Sequence, residues 1–226
     1  MYKTYLMHYS PLKERRAFIT EQLSLKGIQD FEVIKEFDRE ELTEQIISEY
    51  YNQDPEAHRQ SCQISMREEE YNYEKMTTSS ISLNMKHIAA FNKFINQDKE
   101  FGVFLEDDCR FYSDSTSIEN VITNAPSRWD VIVLGGSFDH NICTYQSRYQ
   151  WKGCIYMQAN HPSTNTTSSI LYNKSAIPKI LPHLKPFCLP IDWQLNYAFH
   201  KAKLSVWHIY PYLCTQGDFG STANDE

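Results

Sequence analysis

The sequence is short of several things, and each shortage removes a class of protein. Its six cysteines (62, 109, 143, 154, 188 and 214) are scattered, with no Cys-x-x-Cys pair. That fits neither a zinc site nor a disulfide scaffold. Reduced thiols are the simpler expectation, and with them the Asn-x-Ser/Thr triplets at Asn165 and Asn173 carry no glycan. No apolar run approaches the ~20 residues that a membrane helix needs. The N-terminus has no signal-peptide pattern, so a cytoplasmic protein of bacterial or viral origin is expected. Positive charge is in the minority, with 22 Lys and Arg against 29 Asp and Glu and a formal net charge of -7. A nucleic-acid binder working through bulk charge is thereby disfavoured. There is no internal repeat, and nothing of low complexity outside the polar tail.

What is present is a globular composition, 41% hydrophobic and 14% aromatic. The 226 residues suffice for one large core. The most informative stretch is Phe101 to Phe111. There a short apolar run, Val103 to Leu105, meets three carboxylates: Glu106, Asp107 and Asp108. The run reads as a buried strand, and the C-terminal end of such a strand is where open α/β sheets place ligands. Three acids in one place repel one another unless a cation sits among them, and hard divalent cations prefer carboxylate oxygen. A solvated acidic turn is the plainer alternative. Residues alternate in direction along an extended chain, so Glu106 and Asp108 can share a metal while Asp107 faces elsewhere.

The remaining pattern is a succession of strands and helices. Tyr5 to Tyr9 reads as a first strand. Ser10-Pro11 follows as N-cap and first turn of a helix whose face carries Leu12, Ile19 and Leu23, and which ends at Lys26-Gly27. Phe31 to Ile34 completes a β-α-β unit. Residues 39–51 read as an acidic amphipathic helix. Residues 52–78, with Asp54-Pro55 and Glu68 to Glu70, lack apolar periodicity and read as an insertion or loop. Ser82 to Ile95 carries a helical stripe of Leu83, His87, Ala90, Phe91 and Phe94. Trp129 to Gly136 is a second buried strand, whose Gly135-Gly136 end allows close approach to a ligand. Residues 137–165 read as loop-rich. Thr167 to Tyr172 is a strand, Ser175 to Leu181 a short helix, Asp192 the start of a helix to Lys201, and Ser205 to Tyr210 a last strand.

In this order the motifs resemble glycosyltransferase family 25, the family of lipopolysaccharide and collagen galactosyltransferases. The resemblance rests on Ser10-Pro-Leu-Lys-Glu-Arg-Arg16, Ser82-Leu-Asn-Met-Lys-His87, Phe104-Leu-Glu-Asp-Asp108, Trp129 to Gly135, Thr167 to Tyr172 with Ala176, Pro190-Ile-Asp192, and Pro211 to Gln216 with Ser221. Lys86 departs from it by standing where the family has serine, and His8 by standing where asparagine is frequent. The resemblance implies an α/β, GT-A-like single domain over residues 1–226, with a mixed, mostly parallel sheet flanked by helices. Residues 1–136 would form a nucleotide-sugar half and 137–226 an acceptor half.

It further implies inverting transfer from a nucleotide-sugar, UDP-linked by first expectation, to a glycan or glycoconjugate hydroxyl, assisted by Mn2+ or Mg2+. Glu106 and Asp108 are then the metal ligands. Ser10, Arg15, Arg16, His87, Asp107 and Gln216 are donor contacts, with the choice between Arg15 and Arg16 open. Inversion in one step needs a carboxylate to take the acceptor's proton. Asp192 is the first choice, beside Trp193, which can stack on a sugar; an acid complementing the helix dipole is its plainer role. His208 reads as structural. Two other classes share these acids: another metal-dependent nucleotide or phosphate enzyme, and a non-catalytic carbohydrate-binding relative.

Overall fold

A computed structural model describes residues 1–66, 75–136, 143–151, 153–164, 166–217 and 219. Glu68, Glu69 and Glu70, Asn165, Ser221 and part of the 137–165 stretch lie outside the described residues. The chain opens with β1 (Tyr2–Met7), α1 (Lys13–Leu25) and β2 (Phe31–Ile34). β1 and β2 pair in parallel, as a β-α-β start requires. A single 3-10 turn (Arg39–Glu41) precedes α2 (Glu44–Tyr50), α3 (Pro55–Ser65) and α4 (Thr78–Ile95). Then come β3 (Phe101–Glu106), β4 (Cys109–Phe111), α5 (Ser115–Asn124), β5 (Val131–Val133) and β6 (Gly135–Gly136). The last part holds β7 (Tyr145–Trp151), β8 (Cys154–Ala159), β9 (Ser169–Asn173), α6 (Ile177–Ile180), α7 (Ile191–Lys201), β10 (Val206–Tyr210) and β11 (Cys214–Gln216).

Among the described residues, eight strands form one sheet in the order β2-β1-β3-β9-β5-β10-β8-β7. β9 runs antiparallel to both β3 and β5, and β8 antiparallel to β10 and β7. The other six strands share one direction, so the sheet is mixed and mostly parallel. The inner runs of its central strands, Val103 to Leu105, Val131 to Val133 and Ile170 to Tyr172, are apolar throughout because both faces are covered. Tyr5, Met7, Phe104, Val131, Val133, Ile170 and Tyr172 face one core, closed by Ile88, Phe91 and Phe94 of α4 and by Leu195 and Phe199 of α7. Leu6, Val103, Leu105, Ile132 and Leu171 alternate with them into a second core, closed by Ile19 and Leu23 of α1 and by Ile118 and Val121 of α5. The period of two thus sends neighbouring residues to opposite cores.

A second, three-stranded sheet has the order β4-β11-β6. β4 follows β3 and β6 follows β5, so the two central strands both feed it beyond the ends where the acids lie.

Several local expectations change. α1 begins at Lys13, and its N-cap is Leu12 with no side-chain cap bond. Ser10 instead donates its backbone N–H to the Asp38 carboxylate, at 3.3 and 3.4 Å. The 39–51 helix is split, because Asp38 caps the 3-10 turn through a reciprocal bond with Glu41 and Thr43 then caps α2 separately. Residues 55–65, expected as loop, form α3, capped by Asp54 with Pro55 in its first turn and packed against α7. Its buried face carries His58, Ser61, Cys62 and Ser65, too polar to register as an apolar stripe. The 137–165 stretch contains the β7–β8 hairpin, whose outer strand β7 is exposed throughout. Gly135 serves packing: a Cβ there would lie 2.9 Å from Ser168 Oγ and 3.0 Å from Cys214 Sγ, between neighbouring strands.

Candidate active site

β1 and β3 pair in parallel with Met7 opposite Glu106. The two strands therefore end together, and the residues that follow them, His8 and Tyr9 on one side and Asp107 and Asp108 on the other, meet at one edge. Between this edge, α1 and α4 lies a cleft of about 720 Å³, counted out to open solvent, lined by Met7, His8, Tyr9, Leu12, Arg15, Arg39, Ser79, Ser82, Leu83, Lys86, Glu106, Asp107, Asp108 and Gln216.

The three acids have separate surroundings. Asp107 is bound to the protein through both oxygens, with His8 Nδ1 2.7 Å from Oδ2 and Arg15 Nη1 3.4 Å from Oδ1. Glu106 accepts a hydrogen bond from Thr167 Oγ1. Asp108 accepts from Gln216 Nε2 at 3.0 Å through Oδ2, while its Oδ1 is buried without a partner among the described residues. Burial first, then the charge of Asp108 and more weakly those of Asp107 and Asp192, push the Glu106 carboxyl up to about 8, against the Thr167 bond. Burial, together with the charge of Asp107, also raises Asp108, although the Gln216 bond and Arg15 oppose it. Two neighbouring buried carboxyls, both pushed up and one with an orphaned oxygen, form a donor set that suits a hard cation. Among the described residues no group of three His, Cys, Asp or Glu side chains closes on a common point.

Arg15 and Arg16 separate. Arg15, in the first turn of α1, is 8% exposed; besides Asp107 it donates to the Phe219 carbonyl at 3.1 Å, with its guanidinium 5.6 Å from the Phe219 ring centroid. Arg16 lies on the outer surface of α1 with Lys13, Ala17 and Thr20. His87 is fully buried in α4 with neither ring nitrogen partnered among the described residues. Burial alone pushes it down to about 3, and it lies outside the cleft lining beside Phe91. Asp192 accepts from the backbone N–H of Trp193 at 2.9 Å, in the first turn of α7. It does not line the cleft but stands near enough for its charge to act on Glu106. Trp193, expected to be available for stacking, packs against Cys62, Cys188 and Leu189. His208 is buried, and its Nε2 lies 2.7 Å from the Ser163 carbonyl oxygen.

Lys86 and Asp38 were not read as a pair from the sequence. Lys86 Nζ donates to the carbonyls of Lys35 at 3.1 Å and Glu36 at 3.0 Å, and lies 2.7 Å from Asp38 Oδ1. These three bonds tie α4 to the segment after β2. Burial raises the Asp38 carboxyl, but bonds from Lys86 and Ser10 outweigh it and hold the group below its ordinary value. The available signal was the spacing of Ser79, Ser82 and Lys86, three and four residues apart along one face of α4.

A cleft at the carboxyl ends of central strands is where open α/β sheets place their ligands. The model for glycosyltransferase family 25, described as a lipopolysaccharide biosynthesis protein, matches residues 1–192, and the chain belongs to that family. No curated protein matches it. Among solved structures, a crystallised protein from STIV shares 11% identity at a TM-score of 0.46, over 94% of this chain and 82% of its own. A Bacillus anthracis protein named as a glucose-1-phosphate thymidylyltransferase, in complex with a sucrose, shares 15% identity at a TM-score of 0.43, over 92% of this chain and 87% of its own. Likeness at that level carries no inference about this chain.

Proposed function

We propose that the chain is a metal-dependent, inverting glycosyltransferase of GT-A-like organisation. It moves a hexose, galactose or glucose by first expectation, from a UDP-sugar to a glycan or glycoconjugate hydroxyl. Residues 1–136 supply most of the donor side, and residues 137–226 the acceptor side and Gln216. Among the described residues no helix is long and apolar enough to cross a membrane, and all six cysteines are free thiols, which supports work in the cytoplasm.

The observation that carries the reading is the orphaned Asp108 oxygen beside a Glu106 carboxyl pushed up by its neighbours. Glu106 and Asp108 are the residues that would hold Mn2+ or Mg2+, which, when bound, offsets the charge that develops on a leaving diphosphate. Arg15 supplies fixed positive charge at the same edge. Gln216 orients Asp108. Asp192 takes the proton of the acceptor hydroxyl as that oxygen attacks the sugar and the diphosphate departs from the opposite side.

The test is a donor screen by thermal shift and product detection with UDP-, GDP- and dTDP-sugars, with and without Mn2+. One nucleotide should stabilise the protein in a metal-dependent way, and Asp108→Asn should abolish that stabilisation. Stabilisation by none of them sinks the proposal. Asp192→Asn should lower kcat by about 10²–10⁴-fold, with donor binding intact; unchanged turnover would remove Asp192 as the base.

A further inference from the structure

His8 follows β1 at the floor of the cleft and is 1% exposed. Its two ring nitrogens have different fates. Nδ1 lies 2.7 Å from Asp107 Oδ2, whereas Nε2 is buried with no hydrogen-bond partner among the described residues. A carboxylate only accepts, so in the neutral ring the proton of this bond sits on Nδ1 and Nε2 presents a lone pair. Arg15 holds the other Asp107 oxygen at 3.4 Å, which fixes the carboxylate and through it the ring. Buried acceptors are nearly always matched by a donor. This one belongs to a residue that lines a cleft, so the missing donor is placed on whatever the cleft binds.

Resting on the reading of the cleft as a nucleotide-sugar site, we propose that His8 is a specificity-determining residue. Its Nε2 accepts a hydrogen bond from the bound nucleotide, either from a ring N–H of the base or from a ribose hydroxyl. Asp107 is then a positioning residue for His8, and the cleft favours nucleotides that offer a donor at this point over those that offer an acceptor. A site built to accept a hydrogen bond discriminates strongly against analogues lacking the donor, because the buried acceptor is left unmatched.

The experiment measures binding of UDP, N3-methyl-UDP, 2′-deoxy-UDP and 3′-deoxy-UDP to the full chain with Mn2+ by calorimetry. One analogue should bind about tenfold or more weakly than UDP, and its identity names the donor. In His8→Phe, which keeps a buried ring without the acceptor, that penalty should fall below about threefold. The isosteric Asp107→Asn, which releases the tautomer, should shrink it in the same direction. Equal binding of all four ligands overturns the proposal while leaving the site a nucleotide site. A penalty that persists undiminished in both variants also overturns it, since another group then accepts the bond. Failure of UDP and the sugar-nucleotide panel to bind at all would remove the nucleotide reading and this inference together.

Discussion

Glu106 and Asp108 stand two apart on an extended chain, and their alternation toward one side is a local property. What the fold adds is burial, which turns two ordinary acids into a pair that resists double ionisation. The consequence is a pH dependence of stability with a definite sign. Glu106 is raised from an ordinary 4.5 to about 8, so between those values the folded state holds a proton that the unfolded state has lost. Stability of the metal-free protein should therefore fall as pH rises from about 4.5 to about 8. Glu106→Gln should flatten that slope in urea titrations across the same range; an unchanged slope would assign the effect elsewhere. Asp107, between the two and expected to touch the donor, accepts one bond at each oxygen, from His8 and from Arg15. Arg15 and Arg16 could not be told apart by sequence, because adjacent helical residues point about 100° apart and the facing direction depends on packing.

At the scale of elements, α4 joins the core to the cleft. Its apolar stripe was readable and packs as expected, yet its start presents Ser79, Ser82, Leu83 and Lys86 to the cleft. Lys86 and Asp38 form a buried ion pair, with side chains 3% and 10% exposed. Lys86→Met should destabilise the protein by about 3–5 kcal/mol, because it leaves a buried carboxylate uncompensated. Combining it with Asp38→Asn should recover part of the loss, which denaturant melts of the single and double variants would measure. A cost within ~0.5 kcal/mol would mean that the pair is dispensable. The split of the 39–51 helix follows from two polar caps, Asp38 and Thr43, five positions apart. α3 was missed for the opposite reason. Its buried face holds His58, Ser61, Cys62 and Ser65, whose small polar side chains fit against α7 without producing apolar periodicity.

For the molecule as a whole, cleft and core are coupled through β1 and β3, whose apolar residues fix both cores while their ends carry His8 and the acids. A ligand bound there should stabilise the entire domain. At a UDP concentration 100 times its Kd, with Mn2+ present, folding should gain about 2.7 kcal/mol. For a chain of this size that is a rise in Tm of about 5–10 °C. The rise should vanish without metal; a metal-independent rise of the same size would show that the carboxylates do not need the cation to hold a diphosphate.

The sequence by itself determined the strand runs, the β-α-β opening, the acidic strand end and the family, because these depend on residues close together or on motif order. The tertiary structure decided which partner each acid meets, which arginine turns inward, and that Gln216 reaches Asp108 across 108 positions. It also placed β9 between β3 and β5 and set His8 beneath the cleft with one nitrogen unmatched. Those outcomes come from strand pairing and burial between distant segments, and neither spacing nor composition encodes them. The stretch from Glu106 to Asp108 was legible as charge; only the fold divided it into two carboxyls bonded to Thr167 and Gln216 and one held by histidine and arginine.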